Sequence, residues 1–293
     1  MRHSVEHHQA YRGRLAPSPT GYLHAGHAFT FWRAQERCQA RQGTLFLRIE
    51  DLDRDRCRPE FREALSGDLH WFGLRWAEAP IQQSDRHSLY LEAWKKLRER
   101  GLIYPCDCSR RDVLSAAGAP HFDDEEPIYP GTCRPFSLTI SDSPDPVGRN
   151  WRFRVPADEG IAFLDLCAGP QRAMAGRDFG DFLIWRKDNV PAYQLAVVVD
   201  DAEQRITEVV RGADLLGSTF RQLLLYRALD LPAPEFCHVP LVRDSLGKRL
   251  AKRHDALSLR ALRAQGVTPE EIRKRFAPMW EPPMCGENQQ PGI

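Results

Sequence analysis

The chain has 293 residues, 42% of them hydrophobic, enough to bury a sizeable core in one large domain or two smaller ones. No apolar stretch approaches the roughly 18 to 20 residues needed to cross a bilayer, and residues 1–10 carry His and charge where a signal peptide needs an apolar core. Neither a membrane span nor export is therefore expected, a cytoplasmic location is the default, and the net charge of +1 selects no partner by itself.

In chain order, Leu15 and Ala16 end a predicted strand that runs into the turn Pro17-Ser18-Pro19-Thr20-Gly21. Residues 24–41 follow as a helix with an apolar face at Ala28, Phe31, Trp32 and Ala34, whose N-terminus would point free N–H groups at an anion held in the turn. The run 51–55 invites a calcium-loop reading. It fails because Arg56 stands where glycine is required and Arg62 where a carboxylate is required, so salt bridges with Arg48, Arg54 and Arg56 are expected instead.

Residues 84–101 read as an amphipathic helix capped by Ser84, apolar at Tyr90, Trp94 and Leu97, and stopped by Gly101. From 106 to about 189 the texture changes to prolines, an acidic run at 123–126 and short alternating segments such as 151–155, which predicts an inserted subdomain of strands and loops. Beyond it, 192–199 is a nearly continuous Val-rich apolar run that predicts a strand buried on both faces, 208–210 and 236–242 predict shorter strands, and 219–229 predicts a helix between them. Strands alternating with helices on both sides of an insert predict an α/β fold, a doubly wound, Rossmann-like parallel sheet with ligands at the strands' carboxyl ends. Neither G-x-x-x-x-G-K-[ST] nor G-x-G-x-x-G occurs, which argues against a Walker ATPase or a dinucleotide enzyme.

Of the eight cysteines, five show no spacing logic, whereas Cys106-x-Cys108 and Cys133 offer three thiolates to a soft metal such as zinc. Between residues 243 and 275 ten Lys or Arg face four Asp or Glu, the place where a polyanion would bind.

Two stretches carry a family resemblance. His24-Ala25-Gly26-His27 is similar to the His-Ile-Gly-His signature of the class I aminoacyl-tRNA synthetases, and Arg249-Leu250-Ala251-Lys252-Arg253 to their Lys-Met-Ser-Lys-Ser loop. Arg14-Leu15-Ala16-Pro17-Ser18-Pro19-Thr20-Gly21, Leu47-Arg48-Ile49-Glu50-Asp51-Leu52-Asp53, the run 193–201 and Val210-Arg211-Gly212-Ala213-Asp214-Leu215-Leu216 narrow the likeness to the glutamyl branch, in order over about residues 11–255.

The resemblance implies a ligase with a split ATP site: His24, Gly26 and His27 on one side, and Lys248, Arg249 and Lys252 on the other, with Mg2+ accompanying the nucleotide. His24, His27 and Lys252 would carry catalysis by positioning phosphates. Ala251 in place of the loop's Ser and Arg249 in place of its first Lys bear on the rate of activation. For L-glutamate it implies Arg14 at a carboxylate, Ser18 as a hydroxyl contact, Glu50 for the α-ammonium, and Tyr193 and Arg211 as further contacts. Paired arginines suit an acidic amino acid, because an amide would leave their charge uncompensated.

A structural zinc site of Cys106, Cys108, Tyr129 and Cys133 is likewise implied, with His121 the chemical rival of the tyrosine. Only 41 residues follow Lys252, which leaves no room for the large C-terminal anticodon-binding region of ordinary glutamyl synthetases. The pattern is most similar to a truncated glutamyl-synthetase-like group, which implies tRNA modification: tRNA-independent glutamate activation, then transfer to the queuosine base in the anticodon of tRNA(Asp). A single-stranded loop can offer such a splayed base to the pocket. A compact enzyme charging the tRNA 3′ end and a non-catalytic RNA-binding relative are the alternatives. Expected divisions are a core of 1–105 and 190–242, a zinc-bearing α+β insert at 106–189, and a small helical tRNA-contact subdomain at 243–293, in a monomer.

Overall fold

The computed structural model describes residues 10–109, 111–113, 128–136, 143–242 and 258–276. The first half of the core is three parallel strands, β1 (Arg12–Leu15), β2 (Thr44–Ile49) and β3 (Ile81–Gln82), connected by α1 (Ala25–Ala40) and α2 (Pro59–Phe72). Helix α1 begins at the N-cap His24, whose ring accepts from the His27 N–H at 3.4 Å, and it ends one residue before its cap Arg41, much as the periodicity predicts. Ala28 and Ala34 are buried and Phe31 and Trp32 partly so.

Helix α3 (His87–Glu99) starts three residues later than expected. Ser84 does not cap it. Its N–H and hydroxyl donate to Asp51 Oδ1 and Oδ2 at 2.9 and 2.8 Å, within the short 3₁₀ turn that precedes the helix. Asp51 also receives Arg62, and Asp53 receives Arg56 at 2.6 Å; of the three arginines expected to pair with this run only Arg56 does so among the described residues, because Arg48 is drawn to Asp201 and Glu50.

After α3 come β4 (Ile103–Cys106), β5 (Asn150–Phe153), the hairpin β6 (Glu159–Asp165) and β7 (Gly169–Ala175), then β8 (Phe182–Arg186) and β9 (Val190–Pro191). An antiparallel sheet runs in the order β4-β5-β8-β9. The second half of the core is α4 (Tyr193–Glu203), β10 (Glu208–Gly212), α5 (Leu216–Ala228) and β11 (Glu235–Val239), followed by two short helices, α6 (Leu259–Ala264) and α7 (Pro269–Phe276). Strands β10 and β11 are parallel, and the end of β6 joins β11 in parallel through Phe236 and Asp165, so the hairpin is stitched to the core. Strand β1 lies beside the start of β10, where the Thr207 N–H donates to the Arg12 carbonyl at 2.9 Å.

The expected strand at 192–199 is instead the helix α4. Gln194 to Val198, Asp200 and Asp201 are all buried, so the segment is covered almost all round. A run of that kind shows neither a two-residue nor a 3.6-residue alternation, and its valines tip the reading toward strand. The expected strand at 236–242 stops at Val239 because Pro240 has no N–H to donate to a ladder.

The parallel strands separate two apolar clusters. Phe46, Val209 and Phe236 face one, built with α3, α4, α5 and β8, while their sequence neighbours Leu47, Val210 and Cys237 face the other, built with α1, α2, α6 and Ile272 of α7. This is the period-two alternation of strands covered by helices on both faces. It leaves the carboxyl ends of β1, β2 and β10 converging on the first turn of α1, where open α/β sheets hold their ligands.

Candidate active site

A cavity of about 330 Å³ occupies that point. It is lined by Arg14 and Ser18 after β1, His24, Gly26 and His27 at the start of α1, Glu50 after β2, Tyr193 at the head of α4, and Arg211 on β10. Eight of the residues expected to hold ATP or the amino acid thus meet in one space although they span nearly two hundred positions of sequence. Lys248, Arg249 and Lys252 lie outside the described residues, as do His121 and the acidic run 123–126. The chain enters the 243–257 segment from Val242 on the cavity wall and leaves it at Ser258, which bridges His24, with the Leu259 N–H donating to the Leu23 carbonyl at 2.7 Å.

At the end of the cavity formed by the start of α1 the His24 and His27 rings stack, 3.7 Å between centroids. Gly26 serves this packing: a Cβ there would lie 3.1 Å from His24 ring atoms and 3.6 Å from Val242. The N–H groups of the first turn of α1, with the positive end of the helix dipole, make this end of the cavity attractive to an anion.

The rest of the cavity has two walls of opposite character. On the first, Asp201 of α4 accepts Arg14 Nε at 3.2 Å and Arg48 Nη1 at 2.6 Å, and Arg48 Nη2 donates to Glu50 at 3.2 Å. Burial alone would raise the Asp201 carboxyl, but Arg48 and Arg14 outweigh it and hold it below the ordinary carboxylate range. For Glu50 burial outweighs the same two arginines and pushes the carboxyl up, which favours a cation arriving beside it.

On the second wall Arg211 is buried against neutral partners, with Nε donating to His238 Nε2 at 3.0 Å and Nη2 to Thr219 Oγ1 at 2.7 Å. Among the described residues no carboxylate lies within ion-pair distance of Arg211, and its Nη1 is buried without a hydrogen-bond partner. Burial, with Arg14 adding to it, lowers the guanidinium below its ordinary value, yet arginine remains a cation at any working pH. Burial also raises the Tyr193 phenol, so that side chain is a neutral hydroxyl. Sequence reasoning gave no role to Asp201, although it ends the family-like run 193–201, and missed His238, Thr219 and Asp165, which stand in no spaced motif; these are the groups that hold the arginines.

These observations converge with three comparisons. The profile of tRNA synthetases class I (E and Q), catalytic domain, matches residues 10–282. The chain belongs to this family. Proteins named glutamyl-Q tRNA(Asp) synthetase are 47% identical over 89% of this chain and 83% of the relative in Symbiobacterium thermophilum, and 45% identical over the same shares in Nitratidesulfovibrio vulgaris. A solved glutamate tRNA ligase from Elizabethkingia meningosepticum, in complex with its amino acid, superposes with a TM-score of 0.69 at 28% identity. That match covers 84% of this chain and 52% of the ligase, so the synthetase spans about half the length of the solved enzymes it resembles. Within its family it falls in the glutamyl-Q tRNA(Asp) synthetase branch, and it is a ligase of a class that uses ATP.

A second cluster lies away from the cavity. The sulfurs of Cys106, Cys108 and Cys133 lie within 4.8 Å of one another, with 3.6 Å between those of Cys108 and Cys133. The Tyr129 hydroxyl sits 3.4 Å from both Cys106 and Cys108 sulfurs and accepts the Cys133 N–H at 2.8 Å. Four ligands at the usual zinc–thiolate distance stand about 3.8 Å apart on the edges of a tetrahedron, so the donor set fits such an ion in spacing and chemistry. Arg152 lies behind it, donating to Cys106 Sγ at 3.3 Å and stacking 3.8 Å from the Tyr129 ring centroid. No helix of the described residues is long and apolar enough to cross a membrane.

Proposed function

We propose that this synthetase activates L-glutamate with ATP in the absence of tRNA and transfers the glutamyl group to the queuosine base in the anticodon of tRNA(Asp). The observation that supports an acidic substrate is Arg211, a buried guanidinium with neutral partners at the wall of a cavity that Glu50 also lines. A buried charge without a counter-charge is costly, and a carboxylate ligand removes that cost where an amide would not. The queuosine acceptor rests on the names carried by the relatives.

In this reading Arg211 and Arg14 take carboxylates, Glu50 takes the α-ammonium, and Ser18 and Tyr193 offer hydroxyls. An α-carboxylate oxygen of glutamate bonds to the α-phosphorus of ATP as the bond to the bridging oxygen breaks and pyrophosphate leaves. His24 and His27, with the first turn of α1, hold phosphate oxygens. Lys252 is tethered six residues from Ser258, which bridges His24, and is assigned to the leaving pyrophosphate together with Lys248 and Arg249. Mg2+ accompanies the triphosphate. A queuosine hydroxyl then attacks the acyl carbon, AMP departs, and the hydroxyl proton passes to solvent. Positioning and charge stabilisation carry both steps.

We further assign Zn2+ to Cys106, Cys108, Tyr129 and Cys133 as a structural ion with no open position. The basic stretch after residue 242 is assigned to tRNA phosphates, as part of a helical subdomain 243–293 beside the core (1–105 and 190–242) and the insert 106–189. A cytoplasmic monomer completes the proposal.

The test is pyrophosphate exchange into ATP without tRNA, expected with glutamate and absent with glutamine, followed by transfer of labelled glutamate to tRNA(Asp) with and without queuosine. Label on the terminal adenosine would instead assign the chain to acceptor-end charging, and exchange supported equally by glutamine would overturn the substrate.

A further inference from the structure

Behind Arg211 stands a buried chain that reaches from the β6–β7 hairpin to the cavity. Asp165 at the end of β6 accepts the His238 backbone N–H at 3.1 Å and the ring Nδ1 at 2.5 Å, and it also accepts the N–H groups of Cys167 and Ala168 at 3.0 and 2.7 Å. The far ring nitrogen, Nε2, meets Arg211 Nε at 3.0 Å and Thr219 Oγ1 at 3.1 Å. Asp165 and His238 are each 1% exposed and Thr219 is fully buried.

The protonation pattern follows from the partners. Guanidinium Nε–H can only donate, so Nε2 must carry a lone pair, and the ring proton must then sit on Nδ1 facing the carboxylate. The groups facing the imidazole are Asp165 from β6, Arg211 from β10 and Thr219 from α5, with Phe163 and Phe236 rings at 6.5 and 6.2 Å and Arg14 more distant. Burial lowers the imidazole below its ordinary range, with Asp165 opposing and Arg211 adding to the effect, so the ring stays neutral at physiological pH. Asp165 is held low by these same hydrogen bonds, which outweigh its burial.

We propose that His238, fixed by Asp165 as its Nδ1–H tautomer, is a positioning residue that orients Arg211 through a neutral acceptor and so leaves the arginine's charge available to the carboxylate of an acidic amino acid. The inference rests on the reading of Arg211 as a substrate contact. A carboxylate in place of His238 would orient the guanidinium equally well but would neutralise it. Imidazole supplies the geometry without the counter-charge.

The decisive comparison is glutamate-dependent pyrophosphate exchange in His238→Leu, His238→Gln and Arg211→Gln, each also followed by thermal melting. Glutamine presents Oε1 close to where Nε2 sits, so His238→Gln is expected to keep KM for glutamate within about threefold of the parent. His238→Leu, which orphans a hydrogen bond to a charged group, is expected to raise that KM roughly ten- to hundredfold with KM for ATP unchanged. In the Arg211→Gln background the leucine change should add no further loss. An arginine substitution without effect on glutamate KM would remove the site reading itself. An arginine effect together with normal glutamate KM in His238→Leu would leave that reading standing and overturn the positioning role.

Two readouts hold independently of activity or variant folding. Long-range ¹H–¹⁵N spectra of the intact protein should show His238 as the Nδ1–H tautomer, and an Nε2–H ring would overturn the proposal. Because Glu50 also titrates in the cavity, the pH test compares two proteins: KM for glutamate should rise in acid more steeply in the parent than in His238→Gln. Superimposable profiles down to acid unfolding would count against the role.

Discussion

The two walls of the cavity solve the same problem, holding a buried guanidinium, in opposite ways. Arg14 and Arg48 share Asp201 and Glu50, so that wall is close to charge balance before any ligand arrives. Arg211 is held by an imidazole and a hydroxyl and is left electrically open. Buried ion pairs mainly specify geometry, whereas a buried unpaired charge is a demand on whatever enters. Under the proposed function the first wall is therefore scaffold as much as site, and the second is where an acid and its amide would be told apart.

The largest effect should come from Arg211→Gln, which removes the open charge. A loss of roughly a hundredfold or more in kcat/KM for glutamate is expected, with the preference over glutamine collapsing and the fold retained, since neutral partners are easily satisfied. Arg14→Gln should lose less, and equal losses would break the contrast.

Asp201→Asn attacks the other wall, leaving Arg14 and Arg48 with too little counter-charge, and should cost about 3 kcal/mol of stability in chemical unfolding. Since Asp201 is held below the ordinary carboxylate range, its contribution is present above its unfolded value of about 3.9 and is lost as pH falls through the lower folded value. The variant should therefore show a shallower loss of stability in acid.

Glu50→Gln separates binding from stability. The folded carboxyl is raised, so its ionised form costs stability at any pH above its unfolded value near 4.3, and the amide removes that cost. Glutamate KM is expected to rise about tenfold or more while the melting temperature holds or increases. The smallest effect on activation belongs to Cys108→Ala: elemental analysis is expected to find one zinc per chain in the parent and none in the variant, with glutamate KM near its original value.

The sequence disclosed the lining of the cavity better than its support. Helix α1 was legible because one face is apolar and the other is not, and the turn before it because proline and glycine admit few alternatives. The α4 segment was not, since a helix buried on every side has no face to betray its period. Ser84 looked like a cap until Asp51 claimed its hydroxyl. Arg14, Glu50, Tyr193 and Arg211 were found through a family pattern, while their partners were not: Asp201 meets Arg14 across 187 positions, and Asp165 meets His238 across 73. Such pairings are made by the crossing of strands and helices, and local patterns of residues carry no trace of them.

The β6–β7 hairpin pairs in register with β11 only where Asp165 meets Phe236, and Asp165 is also the carboxylate behind His238. Anyone trimming this enzyme to a minimal catalyst would naturally excise the loop-rich middle and splice the flanking halves. That surgery would cut away the carboxylate that holds His238 against Arg211, so under the proposed function a working miniature has to keep residues 159–175 even if it discards the cysteine cluster that precedes them.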